Sequence, residues 1–179
     1  MVDPVTSRRL AHAALYLGLV LIILFLRMLP INPVSDGFPG PDLTLALTLA
    51  WVMRRPDYLP AALIVAAFLL EDFIYWRPIG LWTLIVLGGT EFLRAREESS
   101  RDLPFVLEAV LIGSVMIGML LANRFILGLV MVEQPPLGRE LLRMLATFVA
   151  YPFVVALSAL AFGLRRAAPG EVDDLGRPL

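Results

Sequence analysis

The stretch LTLALTLAWVMRRPDYLPAALIVAAFLLED, residues 43 to 72, decides how this chain folds. It holds two apolar runs, Leu43 to Met53 and Leu59 to Leu70, separated by Arg54-Arg55-Pro56 and a short polar turn. A helical run of about 12 residues rises only about 18 Å, whereas a bilayer's hydrocarbon core is about 30 Å thick. The runs could be arms of a re-entrant loop, soluble-type core helices, or two crossings. A re-entrant hairpin would carry Arg54 and Arg55 towards the bilayer centre at about 2.5–3.5 kcal/mol each. Two crossings leave the pair at a membrane surface, where long side chains snorkel and lengthen the effective span. Crossing is the less costly arrangement, and it is the one expected.

The composition agrees with lipid as the main solvent. The 179 residues are 59% hydrophobic and 17% charged, with a mean hydropathy of +0.80, whereas soluble domains are roughly a quarter charged. Four further apolar stretches flank the first two: Leu10 to Leu29, Ile79 to Leu93, Pro104 to Val132 and Met144 to Leu164. The last has no charged residue, and its Pro152 is tolerable in a membrane helix that has neighbours. An all-α polytopic bundle of about six transmembrane helices is expected, one domain over residues 1–166, followed by a disordered cytoplasmic tail, 167–179.

Met1 to Leu26 has the outline of a secretory signal, with Arg8 and Arg9 ahead of an apolar run. Its charge-free part, Ala13 to Leu26, is as long as signal cores become, and only Arg27-Met28-Leu29-Pro30 follows where a small-residue cleavage site would stand. A retained first helix is expected. Orientation follows from arginine, since every basic residue is Arg. With both termini in the cytoplasm, the inner segments receive Arg8, Arg9, Arg54, Arg55, Arg94, Arg96, Arg101, Arg165, Arg166 and Arg177, and the external loops keep Arg77, Arg139 and Arg143. Removing either short crossing would move Arg54 and Arg55 outside and break that bias. The external loop PINPVSDGFPGP, residues 30–41, is too rich in Pro and Gly for regular helix. The stretch Arg94 to Asp102 is expected to extend the fourth helix before a turn at Pro104.

With a formal net charge of −1, neither a nucleic-acid footprint nor a polybasic lipid anchor is visible. The absence of Cys removes disulfides, thiolate nucleophiles and Cys-ligated metals. No HExxH, Gly-x-Ser-x-Gly or P-loop is present, so no enzyme and no cofactor is expected. A Ser-His dyad would need His12, which lies at the start of the first helix, away from Ser114 and Ser158.

The polar groups near the membrane carry what functional signal remains. Glu71 and Asp72 end the third helix, where carboxylates oppose the macrodipole and ask for a cation; Arg77 and Arg27 are the candidates. Either these charges are solvated beside an aromatic belt of Phe73, Tyr75 and Trp76, or Asp72 accepts hydrogen bonds from Pro78-Ile79-Gly80 and fixes the turn. A shared catalytic carboxylate pair is disfavoured, because adjacent helical residues point about 100° apart. Glu91 and Glu108, with Arg94 nearby, suit structural ion pairs better than transport. Five small-residue pairs at four-residue spacing, Ala14/Gly18, Ala46/Ala50, Ala62/Ala66, Gly118/Ala122 and Ala159/Gly163, serve internal packing or a partner helix. The fifth stretch is longer than one crossing needs. About 20 residues from Pro104 reach Asn123 and Arg124, so Phe125 to Val132, with Phe125, Leu127 and Val130, lies in the interface, meets another protein, or continues a tilted helix.

The segment from Pro39 to about Glu97 resembles the rod-shape-determining protein family MreD. Arg54-Arg55-Pro56 stands at that family's cytoplasmic turn, Leu69-Leu70-Glu71-Asp72 at its Leu-Leu-x-Asp element, and Pro78-Ile79-Gly80 at the opening of the next helix. Phe68 stands near a position where many members carry Gly. The resemblance implies a non-enzymatic scaffold subunit of the cell-wall elongation complex in the bacterial inner membrane. It would bind an MreC-like single-crossing protein and, through it, MreB and a peptidoglycan glycosyltransferase/transpeptidase pair. It also implies a fold like the substrate-binding subunits (S-components) of vitamin transporters, which makes a small-molecule or lipid site the alternative. That alternative requires a ligand-sized cavity open to the outside.

Overall fold

The computed structural model describes residues 4–29, 39–96 and 104–162. Regular structure among them is helical: α1 (Pro4–Met28), α2 (Leu43–Arg54), a 3-10 turn (Pro56–Tyr58), α3 (Ala61–Ile74), α4 (Leu81–Arg94), α5 (Phe105–Leu129) and α6 (Leu137–Phe162). Three segments, Arg9–Met28, Phe105–Leu129 and Leu137–Ala161, are long and apolar enough to cross a membrane. α2, α3 and α4 have 12, 14 and 14 residues, about 18–21 Å. Large apolar side chains such as Phe25, Leu84, Val106, Phe153 and Leu160 stay on the surface, where lipid rather than water can solvate them. The chain is a helical membrane protein.

α2 sits in the middle, against α6, α4 and α1. Its residues Thr44 to Val52 are all buried, as expected of a helix with no consistently polar face. Ala46 and Ala50 are fully buried and let neighbouring backbones come close. The other small pairs do not bury in this way: Ala14, Ala62, Ala66 and Gly118 are exposed. A close approach that periodicity did not reveal occurs at Gly89, where a methyl group would fall 2.0 Å from Met119 Cε and 3.2 Å from Val115 Cγ1 of α5. Tyr16 and Thr48 share a buried hydroxyl hydrogen bond of 2.9 Å between α1 and α2. Phe68 fills the core with no exposed surface.

Consecutive helices alternate in direction, because their ends gather into two groups. At one end the Arg54 guanidinium donates to Glu108 Oε1 at 2.7 Å, with side-chain exposures of 10% and 2%. Tyr151 of α6 donates to the same oxygen, and Arg94 donates to the Leu59 carbonyl. Arg54 therefore does not snorkel as expected; it is held inside by a carboxylate on α5. Arg94 pairs with Glu91 at 2.7 Å and not with Glu108. Arg55 caps α2 through its backbone, its N–H donating to the Trp51 carbonyl. At the other end lie Arg27, Asp42, Asp72 and Arg143, described below.

Helix bounds differ from the apolar stretches where charges find partners. α6 starts at Leu137, not Met144, because Glu140 pairs with Arg124 at 2.6 Å and Arg143 with Asp42 at 2.7 Å. α5 continues unbroken through Phe125 to Leu129, which is the continuous long helix among the alternatives. α4 ends at Arg94, with Ala95 and Arg96 in a turn, and the rest of the expected extension lies outside the described residues. Residues 30–38 of the Pro-rich connection, residues 97–103, and the expected tail lie outside the described residues.

Arg54→Leu withdraws the guanidinium from a buried carboxylate and is expected to cost about 3–5 kcal/mol. Adding Glu108→Leu should restore more than half of that loss. Thermal unfolding in mild detergent checks both, and a double variant as unstable as the single one contradicts the assignment.

Candidate functional site

Glu71 and Asp72 are both fully buried, so neither is the solvated surface charge of the simpler reading. Their directions differ by about a quarter turn, and they serve different neighbours. Asp72 Oδ2 accepts from Gly80 N at 3.1 Å, Thr83 N at 3.3 Å and Thr83 Oγ1 at 2.9 Å. Gly80 is the N-cap of α4, with φ +85°, and has no side chain to satisfy the first turn. Asp72 supplies that cap from α3 and so fixes the α3–α4 turn, which is the second of the two readings the sequence left open. Its placement opposite the start of α4 also sets its negative charge against a helix N-terminus.

Glu71 turns towards α1. Its nearest cation is Arg27, 3.5 Å away, and neither carboxylate oxygen has a hydrogen-bond partner. Arg27 is occupied by the Pro41 carbonyl at 2.6 Å and the Tyr75 hydroxyl at 3.4 Å. Arg77 does not neutralise either acid through an ion pair. Its guanidinium lies over the rings of Tyr75 and Trp82, at 5.2 and 5.8 Å. Burial and the nearby Arg143 pull Arg77 below the ordinary arginine pKa, against the partial offset of Asp42, Glu71 and Asp72.

Asp42 was not among the expected site residues, although an Asp after Pro-Gly-Pro and directly before an apolar run is an N-cap signal. It caps α2 by accepting from Leu45 N at 3.1 Å and joins α2 to α6 twice. Arg143 donates to Oδ2 at 2.7 Å, and the Asp42 N–H donates to Thr147 Oγ1 at 2.7 Å. Burial alone would raise this carboxyl, but Arg143, followed by Arg27 and Arg77, holds it below the ordinary carboxylate range.

Beside this charged cluster opens a cavity of about 440 Å³, walled by α2, the α3–α4 turn, α4, α5 and the start of α6. Its size lies within the usual range for small-molecule sites. Leu127, one of the interaction candidates at the end of α5, is 8% exposed and lines the cavity. Phe125 and Val130 do project outward, at 69% and 66% exposure. Trp76 and Met131 stand almost fully exposed on left-handed backbone, φ +53° and +55°, a costly conformation for bulky residues. Arg54 and Arg55 lie at the opposite end and take no part. Among the described residues no group of three or more His, Asp or Glu is placed to hold a metal ion. Comparison with family models, curated proteins and solved structures finds no match for this chain.

Asp72→Ala leaves buried donors of the α4 first turn without an acceptor and is expected to cost about 2–3 kcal/mol. Glu71→Gln, which replaces a buried carboxyl group that no hydrogen bond supports, should leave stability unchanged or raised. Equal losses in detergent unfolding would contradict the two roles. Gly80→Ala should cost about 1–2 kcal/mol from left-handed backbone alone, since the space around it is open.

Asp42 has a folded-state pKa below its unfolded value. Its ionised form therefore contributes stability that is full above the unfolded pKa and is lost as the pH falls through the folded one. Unfolding temperature should drop below about pH 4, and Asp42→Asn, less stable at neutral pH, should show a shallower acid limb.

Proposed function

We propose that this chain is a non-enzymatic scaffold subunit of a bacterial rod-shape and cell-wall elongation complex. It crosses the inner membrane six times, with the Arg54 end and both termini in the cytoplasm. It binds an MreC-like single-crossing protein and so links MreB to the peptidoglycan glycosyltransferase/transpeptidase pair. The observation that carries this reading is the outer rim, where Trp76, Phe125, Val130 and Met131 present apolar surface around fixed charges. Two of them sit on strained backbone that only a supporting structure or a bound partner repays. Further support comes from the motifs of the MreD resemblance. Arg54 and Asp72 are each committed to a buried contact between helices, which is the use a family-defining residue has in a scaffold.

A second reading is a substrate- or lipid-binding subunit like those of vitamin transporters. The cavity beside Arg77 and Leu127 favours it, and the two readings are compatible because Phe125, Val130 and Met131 of the rim do not line the cavity, although Trp76 stands at both.

A tagged copy extracted in mild detergent should retain the MreC-like protein. Asp72→Ala should reduce that retention more than Glu71→Ala. Paired substitution of Phe125 and Val130 by Ser should reduce it severalfold at unchanged thermal stability. Recovery of no envelope-synthesis protein with the wild-type chain would overturn the scaffold reading.

A further inference from the structure

Resting on the membrane placement and the second reading above, we propose that the outer cavity holds one acyl chain of an anionic outer-leaflet phospholipid, with its phosphate at the rim beside Arg77 and Arg139. The cavity has the two-part character of such a molecule. Its lining is apolar along Leu45, Met116, Leu120, Leu127 and Met144, and it also carries Arg77, Arg139 and Arg143. Met116 and Leu127 are about three turns apart on α5, about 16 Å. The site therefore runs from the outer surface towards the middle of a 25-residue helix, the depth an acyl chain occupies.

The rim cations are unequal. Arg143 is committed to Asp42 and the neighbouring Arg124 to Glu140. Arg77 and Arg139 have no ion pair among the described residues, and Arg77 is held by aromatic rings that leave its N–H donors unused. Guanidinium donors of this kind match a phosphate. Glu133 also stands at the rim; it is exposed, as Arg139 is, so water and salt screen both more than the half-buried Arg77, which is the main phosphate contact. Trp82, in the same wall, keeps a buried indole N–H with no acceptor; a lipid ester carbonyl is an acceptor of the kind it lacks.

A polypeptide segment suits this cavity less well. Carried to the depth of Met116, it would leave backbone N–H and C=O groups facing apolar walls, at several kcal/mol each. Thr147 can offer little help. Its hydroxyl already donates to the Arg143 carbonyl and accepts from Asp42 N. Asn123 and the indole N–H of Trp76 are the remaining uncharged polar side-chain groups of the wall apart from Trp82. A hydrocarbon chain makes no such demand.

The test is native mass spectrometry of the full chain purified in mild detergent, delipidated, and then titrated with phosphatidylglycerol, phosphatidylethanolamine or inorganic phosphate. The wild type should bind one phosphatidylglycerol at least about tenfold more tightly than phosphatidylethanolamine. Arg77→Gln should abolish that preference, and Leu120→Trp, which fills the cavity, should abolish binding at unchanged unfolding temperature. If Leu120→Trp fails to fold, Met144→Trp replaces it. Equal binding of both lipids, undiminished binding in the filled variant, or inorganic phosphate stabilising as well as the lipid would overturn the proposal. Retention of the MreC-like partner is measured on the same samples. Lipid without partner sinks the scaffold reading alone, and partner without lipid sinks this proposal alone. Loss of partner with lipid retained in the filled variant would assign the cavity to a peptide and overturn the proposal.

Discussion

Charged side chains inside a lipid-solvated bundle are costly unless each has a partner, and this fold is arranged around meeting that demand at both ends of one central helix. Between helices in lipid there is no hydrophobic driving force of the kind found in water, so close packing and polar contacts must supply the association. α2 begins at Asp42, which is bound to Arg143 and Thr147 of α6, and ends at Arg54, which is bound to Glu108 of α5. Tyr151 closes the circle by donating from α6 to Glu108. Both ends of the central helix are thus tied to the two long helices that follow much later in the chain.

That arrangement also explains why an opening exists. α5 and α6 are joined near one end through Tyr151 and Glu108 and near the other through Arg124 and Glu140. Between these ties they make little contact with each other. Phe148 fills part of the seam against Gly113, and the outer part stays open as the cavity. Polar ties therefore hold the helices together without drawing their middles into contact, and the space is a consequence of where the charges sit. Asp72 performs the matching task for α3 and α4, keeping the turn that carries Trp76 and Arg77 at the cavity mouth. Among the described residues Glu71 is an exception to full pairing, a buried carboxyl group with no hydrogen bond and one guanidinium 3.5 Å away.

Much of the architecture was legible because its signals are local. Apolar runs, the Arg54-Arg55-Pro56 break and the Pro and Gly at turns mark the helices within a few residues. The Asp72 turn was one of two readings open to the sequence, available because donor and acceptor are eight residues apart; the burial of Asp72 decided between them. What escaped local reading was the use of charges that are far apart in sequence. Asp42 meets Arg143 across 101 residues and Arg54 meets Glu108 across 54. An unpaired-looking arginine near a membrane reads as surface until its partner is known. The bound of α6 moved for this reason, since Arg139, Glu140 and Arg143 interrupt an apolar stretch without interrupting a helix.

The amino-acid order by itself determined the apolar, helical character and the approximate limits of the helices among the described residues, because hydropathy depends on neighbours along the chain. Only the tertiary structure decided that α2 is the core, that Arg54 is buried instead of snorkelling, that Leu127 faces inward, and that a cavity opens between α5 and α6. Those outcomes depend on which distant charges meet. Pairing energy in a low-dielectric interior is set by separations of a few Å, and spacing along the chain does not report them.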